Sequence, residues 1–269
     1  MSKNKKPQLV DTHCHLDFDR YDQDRDKVIK RAKDAGVTRI IIPAVDVASC
    51  KSAIKLANKH RQMYASAGVH PNSTANFTSY ALKDIETAAK NRKVVAIGEI
   101  GLDYYRERSP KSKQKQAFEK QIELAARLEL PLIIHNRDAE KDTLPILENW
   151  VTDLPDSLKD RPGVFHSFLA DQGTAQRAID AGFYLGFTGP ITFKNNKDMH
   201  RVVASVPLDR ILVETDGPYL TPEPYRGKRN EPSYIPHIIK KIAELHSVSV
   251  DEVSRITTEN AIRLFQLDD

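Results

Sequence analysis

Eight short apolar runs, each followed by a longer stretch of helical period, constrain this chain more than any other feature. The runs fall at 9–12, 39–42, 64–69, 94–97, 132–134, 164–165, 184–187 and 211–213. The helical stretches fall at 20–36, 47–59, 79–91, 113–128, 139–151, 174–181, 197–205, 232–246 and 249–264. Strands that alternate with helices pair in parallel through right-handed crossovers. Eight such units close an α/β fold, a (β/α)8 TIM barrel, and a length of 269 residues suits one. An open doubly wound sheet would carry a Gly-rich first turn. In its place the first strand ends in His13-Cys14-His15. No stretch rich in Pro, Gly or Ser splits the chain, so residues 1–269 are expected to form a single TIM-barrel domain. Residues 1–7, with Lys3, Lys5 and Lys6, are expected to be a flexible tail, and 152–162 a surface loop. The last helix is expected to open with a reciprocal cap between Ser249 and Glu252.

Composition excludes classes rather than choosing one. A hydrophobic fraction of 40% is enough to bury a core, which sets aside intrinsic disorder. Forty-one Lys and Arg against 37 Asp and Glu leave +4, with the signs interleaved, so total charge names no partner. Cys14 and Cys50 cannot make a disulfide framework and suit a reducing compartment. No apolar segment reads as a signal peptide or a membrane span, so a cytoplasmic location without membrane association is expected.

The chemistry lies at the strand ends. His13 and His15 are two residues apart in an extended segment and face the same way, so both can aim at one metal ion. Glu99, His135, His166 and Asp216 recur at the ends of the fourth, fifth, sixth and eighth strands. In a barrel those ends open onto one face. Six ligand-type residues exceed the needs of one tetrahedral site and suit a pair of divalent ions bridged by a carboxylate, for which strand four offers Glu99. Asp216 can ligate and also act as general base, which with Glu99 makes the catalytic pair. Glu214 shares the face of Asp216 and is expected to orient a ligand or to bind an extra ion. Four His and two carboxylates accept Zn²⁺, Mn²⁺ or Ni²⁺, while Mg²⁺ prefers oxygen.

Residues 9–17, Leu-Val-Asp-Thr-His-Cys-His-Leu-Asp, resemble the N-terminal signature of the TatD-type metal-dependent deoxyribonucleases. Residues 131–142 and 207–218 resemble the second and third signatures, and Gly68-Val69-His70-Pro71 and the segment 98–104 are similar too. The resemblance spans 8 to about 265. It implies an amidohydrolase-like (β/α)8 barrel, two divalent metals held by the six residues above, and hydrolysis of DNA phosphodiesters from the 3′ end. One segment departs. His166-Ser167-Phe168-Leu169-Ala170-Asp171 stands where a small hydroxyl- and glycine-rich turn is common, and an added carboxylate there would repel phosphate.

Substrate contacts are expected from His70 at the end of strand three, from Arg137, and from Arg226, Lys228 and Arg229 in a basic loop. Arg137 can alternatively pair with Glu214 or Asp216, and Arg106 lies in the loop after strand four. Tyr104 and Tyr105 are candidates to stack a base. The expected function is removal of nucleotides from single-stranded DNA, or RNA, by a monomer. The alternative keeps the site and changes the bond, as in an aminoacyl-tRNA deacylase. A binding protein without catalysis would not need six ligands.

Overall fold

The computed structural model describes residues 8–268, and the expected tail at 1–7 lies outside them. The strands are β1 (Leu9–Asp11), β2 (Val37–Ile42), β3 (Met63–Ala67), β4 (Val94–Asp103), β5 (Leu132–Arg137), β6 (Gly163–Phe165), β7 (Tyr184–Phe187) and β8 (Ile211–Val213). They form one parallel sheet in sequence order. Its two ends meet: Thr12 N donates to Val213 O at 3.2 Å, Asp216 N to His13 O and His15 N to Gly217 O at 2.8 Å. The structure is thus a nearly closed (β/α)8 barrel. The helices are α1 (Arg25–Asp34), α2 (Val47–Lys59), α3 (Ser79–Ala89), α4 (Lys111–Leu128), α5 (Glu140–Trp150), α6 (Asp156–Lys159), α7 (Gln172–Asp180), α8 (Lys197–Ser205), α9 (Ile235–His246) and α10 (Val250–Phe265).

Alternation along the strands sorts side chains into two layers. Val10, Ile41, Tyr64, Val95, Ile133, Val164, Tyr184 and Leu212, one from each strand, form one buried cluster. Ala261, Leu264 and Phe265 of α10 join it. The intervening residues, such as Ile40 and Ile42, pack with the helices. The first cluster is therefore a hydrocarbon plug inside the barrel. The same parity continues upward: Ile133 is followed by His135 and Arg137, Val164 by His166, and Leu212 by Glu214 and Asp216. The plug supports the reactive layer.

Some boundaries differ from expectation. The first helix begins at Arg25, and Asp19–Tyr21 is a separate 3-10 turn. Burial of Tyr21 decides this, because its hydroxyl donates to Asn230 O at 2.6 Å. The expected loop at 152–162 holds a 3-10 turn and α6, with Leu158 buried. Arg161 fastens it by donating to Ser157 O, Glu129 O and Leu264 O. Only half of the expected cap on α10 forms, Glu252 N to Ser249 Oγ at 3.1 Å. The reciprocal cap lies on α2, between Asp46 and Ser49. Among the described residues no helix is long and apolar enough to cross a membrane.

Candidate functional site

The ends of β1, β4, β5, β6 and β8 converge at the floor of a cavity of about 1270 Å³. His13 Nε2 lies 3.4 Å from His15 Nε2, 3.4 Å from Glu99 Oε2 and 3.8 Å from Asp216 Oδ1. His15 Nε2 lies 3.9 Å from Glu99 Oε2 and 3.6 Å from Asp216 Oδ1. The other oxygen of Glu99 serves a second cluster. Oε1 lies 2.7 Å from His135 Nδ1, 3.6 Å from His166 Nε2 and 3.5 Å from His70 Nε2.

These spacings fit divalent cations. Ligands about 2.1 Å from one tetrahedral ion lie about 3.4 Å from each other. The ring nitrogens of His13 and His15 face each other without an apolar reason to do so, and the Nδ1 atoms of both are buried without a partner. The His13 ring also stacks on His166, with centroids 3.5 Å apart. Packing imidazoles and two carboxylates this tightly calls for positive charge between them, and the nitrogen and oxygen donors suit a borderline divalent ion.

The electrostatics carry the same signature. Burial alone would raise Glu99, but His166, His70, His13 and His135 more than offset it and hold the carboxyl well below its usual range. Burial and the neighbouring His13 keep His15 uncharged. Burial opposes charge on His166, yet Glu214 and Glu99 raise it to about 10. Burial pushes Asp216 up to about 6. Burial also lowers His70 to about 3, so it stands neutral.

Two carboxylates hold imidazoles of the cluster from behind, as carboxylates do in many metal sites. Glu214 Oε1 faces His166 Nδ1 at 3.0 Å and accepts from the Ser167 backbone N–H, while Oε2 accepts from Thr12 Oγ1. That leaves His166 Nε2 toward Glu99. Glu214 has room only because Gly186 lies beneath it: a Cβ there would meet its carboxyl at 2.6 Å. Asp103 does the same for His135, accepting from Nε2 at 3.2 Å and from Asn72 Nδ2 at 2.8 Å. His135 thus stands between two carboxylates, Asp103 at Nε2 and Glu99 Oε1 at Nδ1, 2.7 Å away, and Nδ1 is the nitrogen turned toward the cluster. Sequence reasoning missed Asp103. The signal was present, because 99, 101 and 103 share a face of one strand and Gly101, with φ 139°, lets β4 run on against β5. Asp11 was missed too. It accepts from Thr215 N, Thr215 Oγ1 and His13 N, tying the ends of β1 and β8 together, and burial pushes it up to about 7.

The expected substrate contacts divide. His70 and Arg137 line the cavity, as do Arg106 and Lys228. Arg137 stacks over Tyr105, 3.9 Å from the ring centroid, rather than pairing with Glu214 or Asp216. Tyr104 does not line the cavity: its hydroxyl donates to Asp142 at 2.6 Å and Lys111 covers its ring. Arg226 is likewise absent from the wall and lies over Phe193. Arg229 is bound by Asp24 through both guanidinium nitrogens at 2.8 Å. Asp171 lines the cavity, but its carboxylate caps α7 by accepting from Thr174 N at 2.8 Å. A capping role uses that charge at a helix N-terminus, and the ionised carboxylate stays in the cavity wall.

Comparison with known proteins finds relatives along nearly the whole chain. A family model described as TatD related DNase matches residues 10–266. The chain is 43% identical over 260 residues to the uncharacterized metal-dependent hydrolase YabD of Bacillus subtilis, covering 97% of this chain and 100% of that protein. It is 32% identical over 265 residues to the 3′-5′ ssDNA/RNA exonuclease TatD of Salmonella typhimurium, covering 96% and 99%. The crystal structure of YJJV, a TatD homolog from Escherichia coli, matches with a TM-score of 0.91 at 30% identity, covering 98% of this chain and all of that one. With a matching signature set, barrel and polar strand-end cluster, the chain belongs to the TatD family of metal-dependent hydrolases.

Proposed function

We propose that this hydrolase removes nucleotides from the 3′ end of single-stranded DNA, with RNA as a second polymer, using two divalent ions. The observation that carries the reading is Glu99, whose two oxygens each face a separate set of ring nitrogens. The first ion would be held by His13, His15, Glu99 and Asp216, the second by Glu99, His135 and His166. Such a pair supplies an activated water and screens the charge of the phosphoryl oxygens. The name of the Salmonella relative, an ssDNA/RNA exonuclease, agrees with the substrate class.

The chain's own groups have separate tasks. Asp216 lines the cavity half-buried, with Oδ1 3.8 Å from His13 Nε2 and 3.6 Å from His15 Nε2, where a carboxylate oxygen can accept a proton. It takes the proton of the attacking water. His70 is a hydrogen-bond donor rather than a ligand. The Asn72 backbone N–H donates to its Nδ1 at 3.1 Å, so Nε2 carries the hydrogen in the neutral ring. That N–H faces the Glu99–His135 edge, where it can hold a phosphoryl oxygen. Glu214 and Asp103 keep His166 and His135 in the required tautomers. Both thiols are free and buried, which suits a reducing, cytoplasmic setting.

The test is release of labelled nucleotide from 3′-labelled single-stranded DNA with Mg²⁺, Mn²⁺, Zn²⁺ or Ni²⁺. Release with at least one ion is expected, and none with any ion would refute the nuclease reading. Asp216→Asn should abolish turnover without unfolding. Calorimetric titration should count two ions per chain, and one ion would remove the bridging role of Glu99. His70→Ala should keep both ions but lose rate, whereas loss of an ion would make His70 a ligand.

A further inference from the structure

Tyr105 is a large aromatic side chain left 62% exposed in the wall of a polar cavity. Its backbone is not loose. Asp103 Oδ1 accepts from Tyr105 N at 3.1 Å and from Arg106 N at 2.8 Å. Asn72 adds a second fastening, with its Oδ1 accepting from Arg108 N at 3.2 Å and its Nδ2 donating to Asp103. Asp103 is also the carboxylate that holds His135. One buried side chain therefore fixes both a ligand of the reaction centre and the loop that carries the aromatic ring.

The ring is braced as well. The Arg137 guanidinium lies 3.9 Å from its centroid. Arg137 follows His135 on the same face of β5, so the brace rises from the layer of the ligands themselves. A cation over one face, with most of the ring still open to solvent, leaves the remaining surface for a ligand. An open ring fixed in the wall of the cavity offers a flat face at the site, and a planar base is what such rings stack on. Arg106 and Arg108 line the same wall, and no ion pair among the described residues engages their side chains. Phosphates leaving the site along this loop meet two free cations.

We propose that Tyr105, braced by Arg137, is the stacking platform for the base of the nucleotide being removed, and that it makes the site selective for single strands. The inference rests on the nuclease reading above. A base inside a duplex is stacked on both faces and a terminal one is held in its pair, whereas the unpaired end of a single strand can turn its base onto the ring. The adjoining Tyr104 has no such part, since Asp142 and Lys111 occupy it.

The test compares 3′-labelled single strands ending in a normal nucleotide with strands ending in an abasic one. Wild type should prefer the base-bearing end by about 5- to 140-fold in kcat/KM, the range that base–aromatic stacking carries. Tyr105→Ala should lose that preference and cleave the abasic end as wild type does, while Tyr105→Trp should keep it. Equal rates on both ends in wild type would overturn the proposal. So would a preference that survives in Tyr105→Ala, or that disappears in Tyr219→Ala instead. A second readout does not depend on turnover. In the Asp216→Asn background, 2-aminopurine at the 3′ end should be quenched on binding, and Tyr105→Ala should abolish the quench. Quenching without nucleotide release by the wild-type enzyme would leave the platform standing and remove the nuclease reading. Persistent quenching in Tyr105→Ala would remove the platform alone.

Discussion

Two basic loops border the mouth of the barrel, and they use their charge in opposite ways. The loop after β8 carries Arg226, Lys228 and Arg229; the loop after β4 carries Arg106 and Arg108. In the first, Arg229 fastens the loop to the body. Arg229 forms a two-pronged bond to Asp24, donates to Arg20 O at 2.7 Å and lies over Tyr21. Arg226 covers Phe193, and the Lys228 ammonium lies 5.7 Å from the Tyr225 ring. In the second, a buried carboxylate does the fastening through the backbone, and the guanidinium groups are left for something else. In the first loop Arg229 is committed to Asp24 and, of its cations, Lys228 alone lines the cavity; in the second, held from beneath by Asp103, both Arg106 and Arg108 line it.

The largest expected effect comes from the anchor. Asp103→Ala should lower metal affinity or kcat/KM about 10- to 100-fold, as loss of a carboxylate behind a metal-ligating His does. Asp24→Ala, which removes the anchor of the other loop, should leave kcat unchanged. If both variants lose rate equally, the two loops do not differ as described.

A smaller effect separates the free cations from the engaged ones. Binding of single-stranded DNA to the Asp216→Asn protein should weaken with salt along a log–log slope. Arg106→Ala and Arg108→Ala should each make that slope shallower by about 0.7, the share of one neutralised phosphate on a single strand. Arg226→Ala should leave it as it was. A slope that responds only to Arg226→Ala would move the phosphate path to the other loop.

The smallest effect concerns stability. Asp24→Ala should cost about 0.2–1 kcal/mol, the usual size of a partly exposed ion pair, read from denaturant unfolding. Hydrogen bonding from Arg229, and then from Arg31, holds the Asp24 carboxyl below its usual value. A lowered folded value means that the contribution is present above the unfolded value of about 3.9 and is lost as pH falls through the folded one. The gap between wild type and variant should therefore be full at pH 7 and close below about pH 3.9. A gap that persists at pH 2 would show that packing on Tyr21, and not charge, is what the pair supplies.

The convergence of the polar strand-end residues was legible because it obeys period two. His13 and His15, and Glu214 and Asp216, share a face by spacing alone, and a barrel brings strand ends together whatever the loops do. The same rule reaches Asp103 once β4 is followed past Ile97 to its end. The cations and tyrosines were not legible. Tyr104 and Tyr105 are adjacent and chemically identical, yet one hydroxyl reaches Asp142 and the other ring reaches Arg137. Those partners lie 38 and 32 residues away in the chain, beyond any local pattern.

The sequence by itself determined the barrel, the six strand-end residues that converge and the family, because each depends on short-range alternation and on motifs contiguous in the chain. The tertiary structure decided which oxygen of Glu99 meets which imidazole, which carboxylate stands behind each ring, and which surface cations remain free. Those outcomes depend on approaches of a few ångströms between residues far apart in sequence. Burial then sets the charge of each group, and burial is a property of the packed barrel.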